Sequence, residues 1–552
     1  MSTFAHTKQK GFIQPAECLS ACRGDKRGFR ERGRGNGSFH ACPPKFSEKN
    51  LRGEEESSSP YATTENVENQ EVLKMNPPHL SERGGFMLIG LLVFASIAIV
   101  IITAFVALAS STLLLARYVA ERELAIQIAE AGVDYYRWHL AHNPSDYEDG
   151  TGVSGPYTHE FYNKTGEHIG DFILTITPPS TGSTIVTVES EGRIATTSIG
   201  SGISRTVRTR LAIPSFAKYA VVANDVMRFG EGTEIFGPVH SNNGVRFDGL
   251  AHNLVSSSRT SYDDPDHSGG NEFGVHTHAS PTDPLPPSTP PIRAGVFEAG
   301  RVFPVPAVDF AGITSDLANM KDDAQIAGRY FAPSGDDGYH LVFAVNDTFS
   351  VYRVNNLRNP PGGCSSSGQS GWGTWSIANG GETFLGAYPI PANGVIFVED
   401  NIWVNGQINT ARITVASGKF PDNPSTRTSI TVNTDLLYTN YDGTDAIGLI
   451  AQQDVNVGLY SEDNLRIDAA LIAQNGRVGR YYYENDCGLN HVRDEITLYG
   501  MIGTSKRYGF AYTDGTGYQD RFITYDSNLL YGPPPSFPLT SDQYQTISWE
   551  EL

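Results

Sequence analysis

Positive charge is in short supply in this 552-residue chain: 41 Lys and Arg stand against 61 Asp and Glu, a formal net charge of −20. A partner held mainly through phosphate contacts requires the opposite balance, so no nucleic-acid partner is expected. Cysteine is sparse, with five in all and only Cys364 and Cys487 beyond residue 85. Charged residues total 18%, yet hydrophobic residues reach 39% and aromatics 11%. That balance permits a buried core and excludes a disordered polyelectrolyte. Catalytic signatures are lacking too: beyond the longest apolar run there is no nucleophile elbow, Walker loop, HExxH or CxxC pair, so no enzymatic activity is expected.

The averages conceal a partition. Residues 1–85 carry 13 Lys and Arg against 11 Asp and Glu, whereas the remaining 467 residues carry 28 against 50. Between the two parts lie 31 uncharged residues, Phe86–Ala116. As a helix they span about 46 Å, more than the ~30 Å hydrocarbon core of a bilayer. A membrane-inserted helix is therefore predicted, and a cleaved secretory signal is disfavoured because its apolar region is shorter. Helical patterning continues past Ala116, with apolar or small residues at Tyr118, Ala125, Ile128, Gly132, Tyr136 and Leu140, until Asn143-Pro144 stops it. One helix, apolar first and amphipathic second, is predicted over 86–143.

Arg83-Gly84-Gly85-Phe86-Met87-Leu88-Ile89, the apolar run, and then Ile128-Ala129-Glu130-Ala131-Gly132 together resemble type IV pilins and pseudopilins, in particular minor pilins with a PilX-type N-terminus. The resemblance implies a leader over 75–85, prepilin-peptidase cleavage between Gly85 and Phe86, and N-methylation of Phe86. It also implies partners: the membrane, the peptidase, and other pilin-like subunits contacted through the helix. Gly90 departs from the family pattern, because major pilins carry glutamate at the fifth mature position. That carboxylate neutralises the amine of a preceding subunit, and lone charges in a bilayer are costly. A subunit without it suits the tip of a fibre better than its shaft. The resemblance places the chain in the inner membrane as a single-pass protein, N-terminus inside, and then in a pilus at the cell surface.

Residues 1–74 read as a disordered or mis-started extension. CRGDKRGFRERGRGNG is basic and glycine-rich, GEEESSSP is acidic, and neither has apolar periodicity. Cys18, Cys22, His40 and Cys42 are zinc-ligand types, but their spacing matches no common closed site.

Beyond the helix the expected class is α+β. Residues 144–213 should form a small antiparallel pilin-like sheet from HIGDFILTITP, STIVTVESEGRI and ISRTVRTRLAI. Residues 214–552 should form a large all-β domain of short apolar runs between Asn, Asp and Gly turns. Leu449-Ile450-Ala451-Gln452 recurs as Leu471-Ile472-Ala473-Gln474, a shift of 22 suited to one coil of an irregular parallel β-solenoid. The alternative is a β-sandwich. GPVHSNNGVRFDG at 237–249 and LLYGPPPSFP at 529–538 resemble the opening and closing parts of large domains attached to PilX-type N-termini. Residues 261–291, rich in Pro and Gly, read as a loop insertion.

Candidate chemistry is limited. His267, His276 and His278, with Asp263, Asp264 and Asp266, fall within sixteen residues and could gather a metal, although such loops are usually only solvated. Asp336-Asp337-Gly338 and Asn440–Asp445, with Asp442, offer oxygen donors for Ca²⁺, but complete no EF-hand and read equally as turns. No cofactor is otherwise expected. Trp372, Trp375, Trp403 and Tyr481–Tyr483 could stack on a surface glycan or equally pack in a core. Cys364 and Cys487, if exported, allow a single disulfide. The expected function is a structural minor pilin or pseudopilin near a fibre tip, acting in assembly or adhesion to a glycan or protein ligand. The alternative is a membrane-anchored surface protein with a glycan-binding or glycan-cleaving β-helix.

Overall fold

The computed structural model describes residues 84–552, apart from 181, 196–201, 311, 366–367 and 541–542. The 1–74 extension, most of the 75–85 leader and the Cys18, Cys22, His40, Cys42 set lie outside the described residues. The chain divides into two compact units, residues 1–89 and 90–552. Of the first, only the start of helix α1 is described.

Helix α1 runs from Gly84 to His142, 59 residues. Its apolar part is long enough to cross a membrane and none of it is buried by protein. Its second part stays helical because it has a sheet to pack on. Ala125, Ile128, Ala129, Tyr136 and Leu140 are fully buried, whereas Tyr118 is exposed. The helix ends before Pro144, and the following turn is tied back to it: Tyr136 OH donates to Asp146 O at 3.0 Å and His139 contacts the Asp146 carboxylate at 3.1 Å.

That sheet has five strands. β1 (Tyr157–Tyr162), β2 (His168–Thr177), β3 (Val186–Ile194) and β4 (Ser204–Ala212) pair antiparallel in sequence order. Alternation places Phe172, Leu174, Val186, Val188, Val207 and Leu211 on the face beneath the helix. The fifth, closing strand is Gln545–Glu551, antiparallel to β4. Arg208 links three strands, contacting Glu189 at 2.7 Å on β3 and Glu550 at 3.0 Å on the closing strand. The sheet therefore extends beyond 144–213, and the β-rich region is an insertion between β4 and the closing strand.

Within the insertion, short strands stack in parallel ladders. In one ladder Leu449, Ile450 and Ala451 lie against Leu471, Ile472 and Ala473, so the two copies of the repeated tetrapeptide are neighbours in register. The repeat pairs this way because each copy buries the same apolar positions. The order along this ladder is not the order of the sequence. The chain enters at 221–223 and steps outward through 239–241, 255–257 and 301–302. It resumes at 329–331 and returns through 395–398, 414–417, 448–451 and 470–473 to 502–504, which pairs back onto 221–223. First and last rungs are thus adjacent in the middle. Two further parallel ladders run alongside: one passes from 339–343 through 402–406, 436–437, 464–469, 495–500 and 520–525 to 234–236, and the other branches from 402–403 through 430–431 and 455–457 to 478–480.

Ten strands in the first ladder make nine spacings, about 43 Å at ~4.8 Å each, between 301–302 and 329–331. Residues 303–328 cross that distance, partly as helix α2 (Gly312–Ile326). Leu317, Met320 and Ala324, at helical spacing, pack with the 395–398 and 329–331 strands and belong to the core cluster that includes Phe397, Ala416, Ile450 and Ile472.

Residues 261–291 are only partly loop. Ser261–Tyr262 and Glu272–Phe273 form a small antiparallel pair, and Val275–His276 extends a parallel ladder from Val245–Phe247.

Candidate functional site

The expected motif on α1 lies at the helix–sheet joint. Ala129 and Gly132 face the sheet and Glu130 faces outward. A Cβ on Gly132 would meet Ser190 Oγ at 2.3 Å and the Phe172 ring at 2.8 Å. On the sheet side, a Cβ on Gly192 would meet Ala125 O at 2.1 Å and Ala129 N at 2.5 Å. Small residues on both surfaces let the backbones approach closely. Ala131 is half-buried beside them. Gly85 and Phe86 lie at the start of α1 with Phe86 exposed, and a Cβ on Gly90 would meet nothing within 4 Å.

The three histidines are brought together. His276 sits on the ladder strand, His278 two residues on, and His267 in the 263–271 turn, where its N–H donates to Asp264 O at 3.0 Å. They form two triads that share His278: Asp264, His276 and His278; and His267, Glu272 and His278. In each, the ligand atoms lie within 4.8 Å of one another. Glu272 Oε1 is 3.0 Å from His267 Nδ1 and 3.4 Å from His278 Nε2, and Asp264 Oδ2 is 3.4 Å from His276 Nε2. Burial raises the Asp264 carboxyl, but His276, the Asp266 amide and Arg246 outweigh it and hold the group below the usual carboxylate range. Burial, with the charges of Arg246 and His276, pushes His278 below ordinary histidine.

Of the acids noted in the sequence, Asp264 joins the cluster. Asp263 is exposed, and Asp266 pairs with Arg228 at 3.5 Å and Arg507 at 2.6 Å. Asp442 joins no such group among the described residues. It accepts from Thr444 N and Thr444 Oγ1 at 3.0 and 2.6 Å, an Asx-type turn. Sequence reasoning missed Glu272, which lies on a two-residue strand, Glu272–Phe273, separate from the Val275–His276 strand that carries His276.

Cys364 and Cys487 are joined by a disulfide across 123 positions. Around it pack Leu459, Tyr481 and Tyr483, with Trp372 and Trp375 against them. Trp372 Nε1 donates to Tyr482 O at 3.2 Å and Trp403 Nε1 to Trp375 O at 3.1 Å. Tyr481 and Tyr483 are buried packing groups, Trp372, Trp375 and Tyr482 are half-buried against them, and Trp403, itself 3% exposed, reaches the wall of a groove. A polar groove of about 740 Å³ lies nearby, lined by His340, Glu382, Asn405, Asn433, Trp403 and Tyr460. In it His340 bridges Glu382 at 2.7 Å and Asn405 at 2.8 Å.

No family model matches the chain. No curated protein matches it. Among solved structures, the chain is similar to the competence-associated pilin ComZ from Thermus thermophilus over 78% of its own length and 98% of that chain, at 13% identity and a TM-score of 0.27. At that score the likeness is too loose to carry a shared fold or role.

Proposed function

We propose that this protein is a non-enzymatic structural subunit of a type IV pilus or related fibre, of the minor pilin or pseudopilin kind, placed at or near the tip. The observation that carries the reading is α1 itself: its first part offers an uncharged, mostly apolar surface, and its second is held by small residues close against an antiparallel sheet. A simple anchor has no need of a continuous 59-residue helix. In this reading the N-terminus remains inside, prepilin peptidase cuts between Gly85 and Phe86, and the Phe86 amine is methylated. The apolar part of α1 then passes from the membrane to contacts with other subunits. Gly90 supports the tip position because it supplies no carboxylate for a preceding subunit's amine.

The inserted region is read as an irregular parallel β-solenoid; its long parallel ladders favour that over a sandwich, whose sheets are antiparallel. It serves as cap or adhesin, and the polar groove at His340 and Glu382 supports a surface glycan as its ligand. Mass spectrometry of the N-terminus of the membrane-extracted protein tests the assignment. A methylated Phe86 is expected, and an intact 75–85 segment on the exported protein overturns it.

A further inference from the structure

We propose that the histidine–carboxylate cluster binds a divalent transition-metal ion of the zinc class through His267 Nδ1, Glu272 Oε1 and His278 Nε2, with Asp264 and His276 as the adjoining set. The site is independent of the fibre role. Its donor set of imidazole nitrogen and carboxylate oxygen suits Zn²⁺, whereas Ca²⁺ takes oxygen ligands alone.

The spacing fits as well. Tetrahedral ligands at about 2.0–2.1 Å from an ion stand roughly 3.3 Å from one another. Glu272 Oε1 lies 3.0 Å from His267 Nδ1 and 3.4 Å from His278 Nε2.

The independent observation is an unmet polar demand. Glu272 is 1% exposed and its Oε2 has no hydrogen-bond partner; His278 Nε2 has none either. Behind them His276 is 0% exposed and Asp264 is 4% exposed; no atom of this pair has a well-formed hydrogen bond at His276 Nδ1, His276 Nε2 or Asp264 Oδ2, and the contacts there are ion pairs of 3.4 Å between the two side chains and 3.5 Å from Arg246 to Asp264. Buried polar atoms are ordinarily satisfied. A cation in the His267 triad would satisfy His278 Nε2 directly, and Glu272 Oε2 as well where the carboxylate ligates through both oxygens.

The His267 triad is the better seat of the two. Arg246 already lies 3.5 Å from Asp264 and offsets its charge, while the His267 side chain is 38% exposed and opens the other triad to solvent. An ion there would tie the 263–271 turn to residues 272–278, fixing the inserted segment on its ladder.

The test uses the full-length protein in detergent, stripped with chelator and titrated calorimetrically with Zn²⁺ alone and Ca²⁺ alone. One Zn²⁺ per chain at micromolar Kd or tighter is expected, with no Ca²⁺ binding. E272Q and H278A should weaken Zn²⁺ binding by about 100-fold or more, and H267A by about tenfold or more. His267 is exposed, so H267A reports on ligation without disturbing a buried position. Failure to bind Zn²⁺ at 1:1, wild-type affinity in H267A, or loss confined to H276A overturns the assignment.

Discussion

Alanine at position 192 is the sharpest probe of the joint between α1 and the sheet. Its Cβ would sit 2.1 Å from Ala125 O and 2.5 Å from Ala129 N, both backbone atoms of the helix. Ordinary contact begins near 3.4 Å, so the helix must retreat by roughly 1.3 Å. No side-chain rotation can relieve a clash with backbone. Retreat loosens Ala125, Ile128, Ala129 and Tyr136 together, all of them fully buried. Overpacking typically costs about 1–3 kcal/mol, and with two backbone atoms in the way the upper end applies. At 1.4 kcal/mol per factor of ten, about 3 kcal/mol makes opening of this joint roughly 100-fold more frequent. Hydrogen exchange of α1 amides 125–140 in the detergent-solubilised protein reads that number directly. Gly90→Ala is the control: nothing lies within 4 Å of its Cβ, and alanine is the better helix former by about 1 kcal/mol, so no acceleration is expected. Exchange in Gly192→Ala within threefold of wild type would refute the close-approach argument.

Other perturbations have comparably definite outcomes. Replacing Cys364 and Cys487 by serine frees a 123-residue separation; the chain-entropy model puts the loss near 5 kcal/mol, and a urea transition of the 364–487 region that does not fall to lower concentration contradicts it. Arg412 donates to the carbonyls of Gly182, Gly443, Gly532 and Pro533, joining the β2–β3 loop to the inserted region. Arg412→Met should cost roughly 2–3 kcal/mol, seen as faster proteolysis near 182 and 443. Burial, opposed by the Asn242 contact and helped by the Lys218 charge, pushes His240 below ordinary histidine. The unfolded chain then binds the proton more readily, so stability is lost as pH falls below about 6.5 toward the folded value. His240→Gln should flatten that slope in melts recorded from pH 7 to 5.

Local signals in the sequence were readable where burial repeats with a fixed period. The apolar run, the 3–4 spacing through Ile128 and Leu140, and Asn143-Pro144 account for α1 and its end. Alternation in 168–177, 186–194 and 204–212 accounts for β2 to β4. The repeated tetrapeptide at 449 and 471 even carried its own register. What escaped notice depends on partners distant in the chain. The closing strand, QTISWEE, has no clean alternation of its own, and its character comes from β4, more than three hundred residues earlier. Ladder strands of three residues, such as 221–223 and 239–241, are too short to show any period, so their order in space was invisible. Glu272 was overlooked for the same reason: the two-residue strand that buries it is defined only by pairing with Ser261–Tyr262.

The placement of the closing strand bears on how the chain is made. The outer edge of β4 stays unpaired until residues 545–551 emerge, which is after every rung of the insertion has been synthesised. An open sheet edge is a template for pairing with other chains. A product broken off anywhere in the insertion would therefore keep that edge bare, and its α1 would rest on an unfinished sheet. Completion of the helix-bearing module is in effect a check that the whole inserted region has been made.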